Sequence, residues 1–290
     1  MKKIIVSGSS GLVGSKLVAS LRDRYQIIPW TSSTDITDAG AVEAAIAQAG
    51  GAEAMVHLAA YTNVNGAFEQ TDDKTGPAWR INVDGTDNIA RACAQHGIYL
   101  IHLSTAFVFD GQKTDPYVET DTPSPIEWYG RTKYEAEKVV LREQVQKSAS
   151  VILRIDQPFS TTPFKKVDTL WRIINGLQEN SLYPQFTNHF FGPTYIEDLI
   201  KSIDFALRAQ PVGVYHASNG ESWTDYDFAL AVKEILQLPG EVKAGDLETY
   251  LRSSARPYQR NTALNCERWR SVSDFAPRSI REAIGKVEME

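Results

Sequence analysis

The chain has 290 residues, 42% apolar and 23% charged, with a formal net charge of −6; this is the make-up of a globular protein large enough to bury a substantial core. The charge is dispersed, with no Lys/Arg-rich run, so neither nucleic acid nor a membrane surface is an expected partner. No stretch approaches the roughly 20 apolar residues that span a bilayer, and two cysteines and five histidines without ligand spacing exclude a disulfide framework and a metal centre. A cytoplasmic protein is expected.

Along the chain, Met1-Lys2-Lys3 and Ile4-Ile5-Val6 break at once into Ser7-Gly8-Ser9-Ser10-Gly11, which is no signal peptide. Short β-branched runs at 3–7, 25–30, 54–59, 99–104 and 150–155 read as strands separated by helical patterns. They are nearly continuous apolar stretches, as in a parallel sheet covered on both faces. In the first helix Val13, Leu17 and Leu21 form one stripe. After Ile155 the loop 157–163 leads to a helix near 167–179; the chain then returns to the sheet around 194–208 and 214–218 and ends in a helical tail with an Arg256-Pro257 turn. The predicted fold class is α/β, a doubly wound parallel Rossmann sheet with a smaller C-terminal substrate-binding lobe. Residues 1–155, with return segments near 191–218, form the dinucleotide-binding core, and 156–190 and 219–290 the lobe.

Gly8, Gly11 and Gly14 stand three apart after the first strand and at the mouth of the first helix, the context of a dinucleotide phosphate loop. Glycine permits the turn and the backbone's approach to a diphosphate, while the helix N-terminus supplies free N–H groups and a positive dipole end. The spacing is GxxGxxG rather than GxGxxG. At the end of the second strand, Trp30-Thr31-Ser32-Ser33-Thr34 offers neither the acid that binds an NAD ribose nor a base for a 2′-phosphate. Hydroxyls that can donate to a phosphate favour NADP(H) over NAD(H).

Tyr129 and Lys133 lie one helical turn apart and share a face. An ammonium beside a phenol favours the phenolate and lowers its pKa, making the tyrosine a usable acid or base. Tyr134 and Lys138 repeat the spacing, but Tyr129 follows Pro123-Ser124-Pro125 and opens its helix near the carboxyl ends of the strands, where α/β sites lie. Ser104 and Thr105 close a strand at that same edge, and a hydroxyl there can polarise a substrate carbonyl.

These residues together resemble the extended short-chain dehydrogenase/reductase family, and within it the dTDP-4-dehydrorhamnose reductase branch. The matching segments are Gly8 to Gly14, Asp35-Ile36-Thr37-Asp38, His57 to Thr62, Asn82 to Thr86, Ser104-Thr105 with Val108 to Gly111, Tyr129 to Lys133, Gly192-Pro193-Thr194 and Arg256-Pro257. The resemblance implies that Asp35 and Ile36 flank the adenine and that Ala59 and Ala60 line the cofactor path. Leu12, Val13, Thr31, Ser32, Leu58, Asn82 and Ser104 are expected to complete the cofactor set. Tyr129 would donate the proton, Lys133 would hold the nicotinamide ribose and tune Tyr129, and Thr105 would polarise the carbonyl. The activity implied is NAD(P)H-dependent reduction of a nucleotide-linked 4-keto-6-deoxysugar.

Three departures bear on the substrate. Ala106 and Phe107 stand where the branch has Asp-Tyr; Ile155-Asp156-Gln157 replace Thr-Ser-Trp; Asn65-Gly66 replace an acid–base pair. Thr105, Ala106, Phe107, Asp156, Gln157 and Arg256 are therefore the expected substrate residues, with Asp156 placed to bind a hydroxyl or amino group and Arg256 a phosphate. The alternatives are a sugar-nucleotide epimerase or dehydratase that recycles its hydride, and a non-catalytic regulatory subunit resembling the β subunit of methionine adenosyltransferase. A homodimer is the default assembly.

Overall fold

The computed structural model describes residues 1–146 and 149–288. The elements that position the site are β1 (Lys3–Ser7), α1 (Leu12–Leu21), β2 (Gln26–Trp30), α2 (Ala39–Ala49), β3 (Ala54–His57), α3 (Gly85–His96), β4 (Tyr99–Thr105), α4 (Trp128–Gln146), β5 (Ser150–Ile155), α5 (Thr169–Gln178), α6 (Ile196–Ala209), β6 (Gly213–His216) and α7 (Asp225–Ile235). The strands form one parallel sheet in the order β6-β5-β4-β3-β1-β2. Strand β1 is flanked by β2 on one side and β3 on the other, so the winding reverses there and a crevice opens outside the carboxyl ends.

Alternate residues of each strand serve opposite faces. Ile4 and Val6 pack with Leu17 and Leu21 of α1 and with Leu199 and Ile203 of α6. Ile5, between them, joins Met55 and Leu100 against Val42 and Ile46 of α2, Ile89 and Cys93 of α3 and Val140 of α4. Both faces are thus buried, which is why the strands are apolar throughout rather than alternating. The doubly wound α/β fold is the one the sequence predicts.

A separate core gathers Phe159, Leu170 of α5, Phe191, Phe228 of α7 and Ile280. The tail divides its packing: Trp269, assigned by sequence to the lobe, is buried against Phe205 and Tyr215 beside the sheet, and its indole N–H donates to Ser202 Oγ at 3.0 Å. The predicted strand 54–59 ends at His57, because Leu58 and Ala59 leave the sheet to form a wall of the crevice. Among the described residues no helix is long and apolar enough to cross a membrane.

Candidate active site

The crevice holds a cavity of about 830 Å³ that runs from the glycine turn to the N-terminus of α4. At its floor Gly8 adopts a left-handed φ of +67°, and a Cβ there would lie 2.6 Å from the Ala59 nitrogen. A Cβ on Gly14 would strike the Gly8 carbonyl oxygen. Side chains at both positions would fill the cradle at the start of α1, so the residues present fit a diphosphate seated there. Gly11, Leu12 and Val13 line the same end.

Beyond β2, Thr31, Ser32, Asp35 and Ile36 line the cavity, and Leu58, Ala59 and Ala60 form the wall from β3. Asp35 accepts from the Thr37 N–H and hydroxyl at 2.9 and 2.7 Å, which holds its pKa below the ordinary value.

At the other end Ser104, Thr105, Phe107, Tyr129, Lys133 and Gln157 line the cavity together. Strand β4 delivers the two hydroxyl residues and α4 delivers Tyr129 and Lys133 from its first two turns. Ser104 turns inward and donates to Glu137 at 2.6 Å, whereas Thr105 stands beside the phenol. Phe107 meets the Tyr129 ring edge-on at 5.8 Å. Gln157 is held at φ +34°, an uncommon conformation for a residue with a side chain, as the chain turns off β5.

The electrostatics differ from the expectation that the lysine draws the phenol's pKa down. Burial pushes the Tyr129 phenol well up, the Glu127 carboxylate adds to the rise, and the Thr105 hydroxyl opposes it. Desolvation of the phenolate outweighs everything else. Lys133 is lowered to about 8 by its own burial, against the opposing pull of Glu137. Its ammonium donates to the Leu103 carbonyl at 2.8 Å and lies 3.4 Å from His102 Nε2.

Four expected site residues do not line the cavity. Asn82 is buried, accepting from the Tyr61 N–H at 2.8 Å and donating to Thr132 Oγ1 at 2.9 Å, so it ties the loop after β3 to α4. Ala106 begins a tight turn and packs, fully buried, with Val108, Phe109 and Tyr117. Asp156 is also buried: its Oδ2 accepts from the Gly192 N–H at 2.9 Å and the Thr262 hydroxyl at 2.7 Å, which directs the carboxylate away from the crevice. Arg256 lies with its guanidinium 4.7 Å from the Tyr258 ring centroid.

Glu127 is a site residue not among the expected ones: its carboxylate accepts from the N–H groups of Tyr129 and Gly130 at 2.9 and 2.6 Å and so caps the helix carrying the phenol. Burial raises its pKa to about 7. An acid two residues before the tyrosine was the available signal. Phe164, Lys165, Lys166 and Arg172 also line the cavity; nothing in the sequence places a loop of the lobe across the crevice.

The family model described as RmlD substrate binding domain matches residues 1–289. The chain is 30% identical to a dTDP-4-dehydrorhamnose reductase of Aggregatibacter actinomycetemcomitans, covering 99% of this chain and 98% of that one. It is 27% identical to the spore coat polysaccharide biosynthesis protein SpsK of Bacillus subtilis, covering 100% and 98%. Among solved structures, dTDP-4-dehydrorhamnose reductase from Bacillus anthracis in complex with NADP superposes with a TM-score of 0.89 at 25% identity, covering 99% of each chain.

Proposed function

The chain belongs to the family of the RmlD substrate binding domain, and we propose that it is an NAD(P)H-dependent reductase of a nucleotide-activated keto-sugar. The observation that carries this reading is the placing of Thr105, Tyr129 and Lys133 on one wall of the cavity whose other end is the glycine turn. When bound there, the dinucleotide supplies the hydride. Thr105 donates to the substrate carbonyl and polarises it. Tyr129, kept protonated by its raised pKa, gives its proton to the carbonyl oxygen as that oxygen becomes a hydroxyl. Lys133, one turn along, limits the cost of the phenolate left behind.

NADP(H) is the favoured cofactor. Thr31 and Ser32, which carry hydroxyls able to donate to a phosphate, line the cavity beyond β2, and the Bacillus anthracis structure holds NADP. The ionised Asp35 is exposed, its Oδ1 taken up by the Thr37 hydroxyl and N–H. The lobe built around Phe159, Phe191 and Phe228 is the substrate-binding part. Two buried, unpaired cysteines suit a reducing cytoplasm, and pairing of two copies is the expected assembly.

Reduced cofactor and a panel of nucleotide-linked 4-keto-6-deoxysugars test the reading. The reduced-nicotinamide absorbance should fall with one of them and stay constant with Tyr129→Phe. Turnover without net cofactor consumption would point instead to an epimerase or dehydratase, and saturable dinucleotide binding without turnover to a regulatory subunit.

A further inference from the structure

Residues 160–168 form a strap across the mouth of the glycine turn. Its base is pinned where the Ser160 N–H donates to Asp168 Oδ2 at 3.0 Å and the Trp171 indole N–H donates to the Ser160 carbonyl at 3.0 Å. Its span is fixed at two points by lysines. Thr162 Oγ1 accepts from Lys16 on α1, just past Gly14, and Lys166 donates to Thr62 Oγ1 at 2.8 Å, just past the β3 exit. The glycine turn lies between those two supports, with Gly8 against Leu58 and Ala59 and Gly14 in the first turn of α1. Residues 163–165 therefore run between the two supports, and Phe164 and Lys165 line the same cavity as Gly8, Gly11 and Gly14.

Phe164, Lys165 and Lys166 of the strap line the cavity, as does Arg172 behind it. Among the described residues none of these three cations has a carboxylate within 4.0 Å. The nearby Asp168 carboxylate is occupied by the N–H groups of Ser160 and Trp171. The Arg172 guanidinium lies over the Tyr183 ring; in a chain of net charge −6, two lysines without carboxylate partners lining the cavity that holds the glycine turn mark a place for an anion.

We propose that the strap is an anion clamp: Lys165 and Lys166 close on the diphosphate of the bound dinucleotide from the side opposite the glycine turn. The inference rests on the dinucleotide reading given above. The turn offers N–H groups to one face of the diphosphate; the two ammonium groups give the other face charge-assisted contacts. Lys166 exchanges a neutral hydroxyl acceptor, Thr62, for an anionic one. The diphosphate of a nucleotide-sugar has the same chemistry and is the competing occupant.

The test compares the full-length protein with its Lys165→Gln/Lys166→Gln variant by calorimetric titration with NADPH, NADH and ADP-ribose, which carries the diphosphate without the nicotinamide. The clamp predicts a Kd raised roughly ten-fold for all three ligands, a shallower salt dependence, and recovery in Lys165→Arg/Lys166→Arg. Both lysines are exposed, so Tm should not change. Unchanged dinucleotide affinity overturns the clamp, and a raised KM for the nucleotide-sugar in the same variant would assign the lysines to the substrate's diphosphate. Failure of the wild-type protein to bind any of the three ligands overturns the dinucleotide reading itself.

Discussion

The Lys133 ammonium donates to the carbonyl oxygen of Leu103 at 2.8 Å, so the strand that ends in Thr105 also holds the lysine that stands one turn from Tyr129. A second neighbour, His102 Nε2, lies 3.4 Å away, and burial keeps that histidine neutral and able to accept. Two of the three ammonium N–H groups are thus directed into the protein, leaving one for the cavity. Lys133→Met keeps the apolar stem and removes the charge; kcat should fall roughly 10²–10⁴-fold, the range for loss of a proton-transfer partner, with NADPH Kd measured alongside. A variant retaining half of wild-type kcat would remove Lys133 from the mechanism.

The pH dependence has two parts with opposite origins. Lys133 is lowered from 10.5 to about 8, so the ammonium is lost as pH rises through 8, and kcat should decline there while the Tyr129 phenol stays protonated. On the acid side, His57 and His216 are lowered from 6.5 to about 3, and His102 is lowered as well, chiefly by burial. An unfolded chain takes up those protons near pH 6.5 while the folded one does not, so stability contributed by the neutral rings is lost as pH falls from 6.5 toward 3. Glu127 and Asp156, raised to about 7 and about 6, act in the opposite sense, because the folded state holds their protons to higher pH. Asp84 and Asp168, also raised, act with these two, while the lowered carboxyls of Asp35, Asp73, Asp121, Asp246 and Glu282 act with the three imidazoles, and Tm should fall below pH 6. Thermal melts showing Tm constant or rising between pH 6 and 4 would contradict the balance.

Gly8 combines a φ of +67° with a Cβ position 2.6 Å from the Ala59 nitrogen and 2.8 Å from the Leu58 carbonyl carbon. Gly8→Ala must both adopt the left-handed region and push the β3 exit outward. A loss of about 1–3 kcal/mol is expected, read by urea unfolding, together with weakened NADPH binding because the displaced segment is the cofactor wall. Wild-type stability and affinity in this variant would mean that the turn is looser than the structure has it.

Much of this was legible in the sequence, for reasons that differ by element. The strands at Lys3–Ser7 and Ser150–Ile155 match residue for residue, because two-faced burial leaves an unbroken apolar run that turn residues bound sharply. Gly8, Gly11 and Gly14 and the Tyr129/Lys133 pair were legible because a short local pattern encodes their geometry. The strap was not: Lys165 and Lys166 reach the crevice only because contacts to Lys16 and Thr62, 146 and 104 positions away in sequence, fold the loop over it. Asn82 and Asp156 lie off the cavity lining because their side chains are engaged by partners such as Thr132 and Thr262 that no local pattern announces. The direction of the Tyr129 shift failed for a related reason, since spacing reveals the lysine but not the depth of burial.

Asp156 gives the sharpest separation between the two readings of the substrate side. Its Oδ2 joins the end of β5 to Gly192 and to Thr262 of the tail, while Oδ1 is buried without a partner. Asp156→Ala strands a buried N–H and a buried hydroxyl, each costing about 1–3 kcal/mol when left unsatisfied, so urea unfolding should register a clear loss. Asp156→Asn keeps an acceptor oxygen and the side-chain volume, and should restore most of it. Since the carboxylate does not line the cavity, KM for the nucleotide-sugar should change less than two-fold in Asp156→Asn. A ten-fold rise in KM at unaltered stability would place Asp156 against the substrate after all and require the loop at Gly192 to open when the sugar binds.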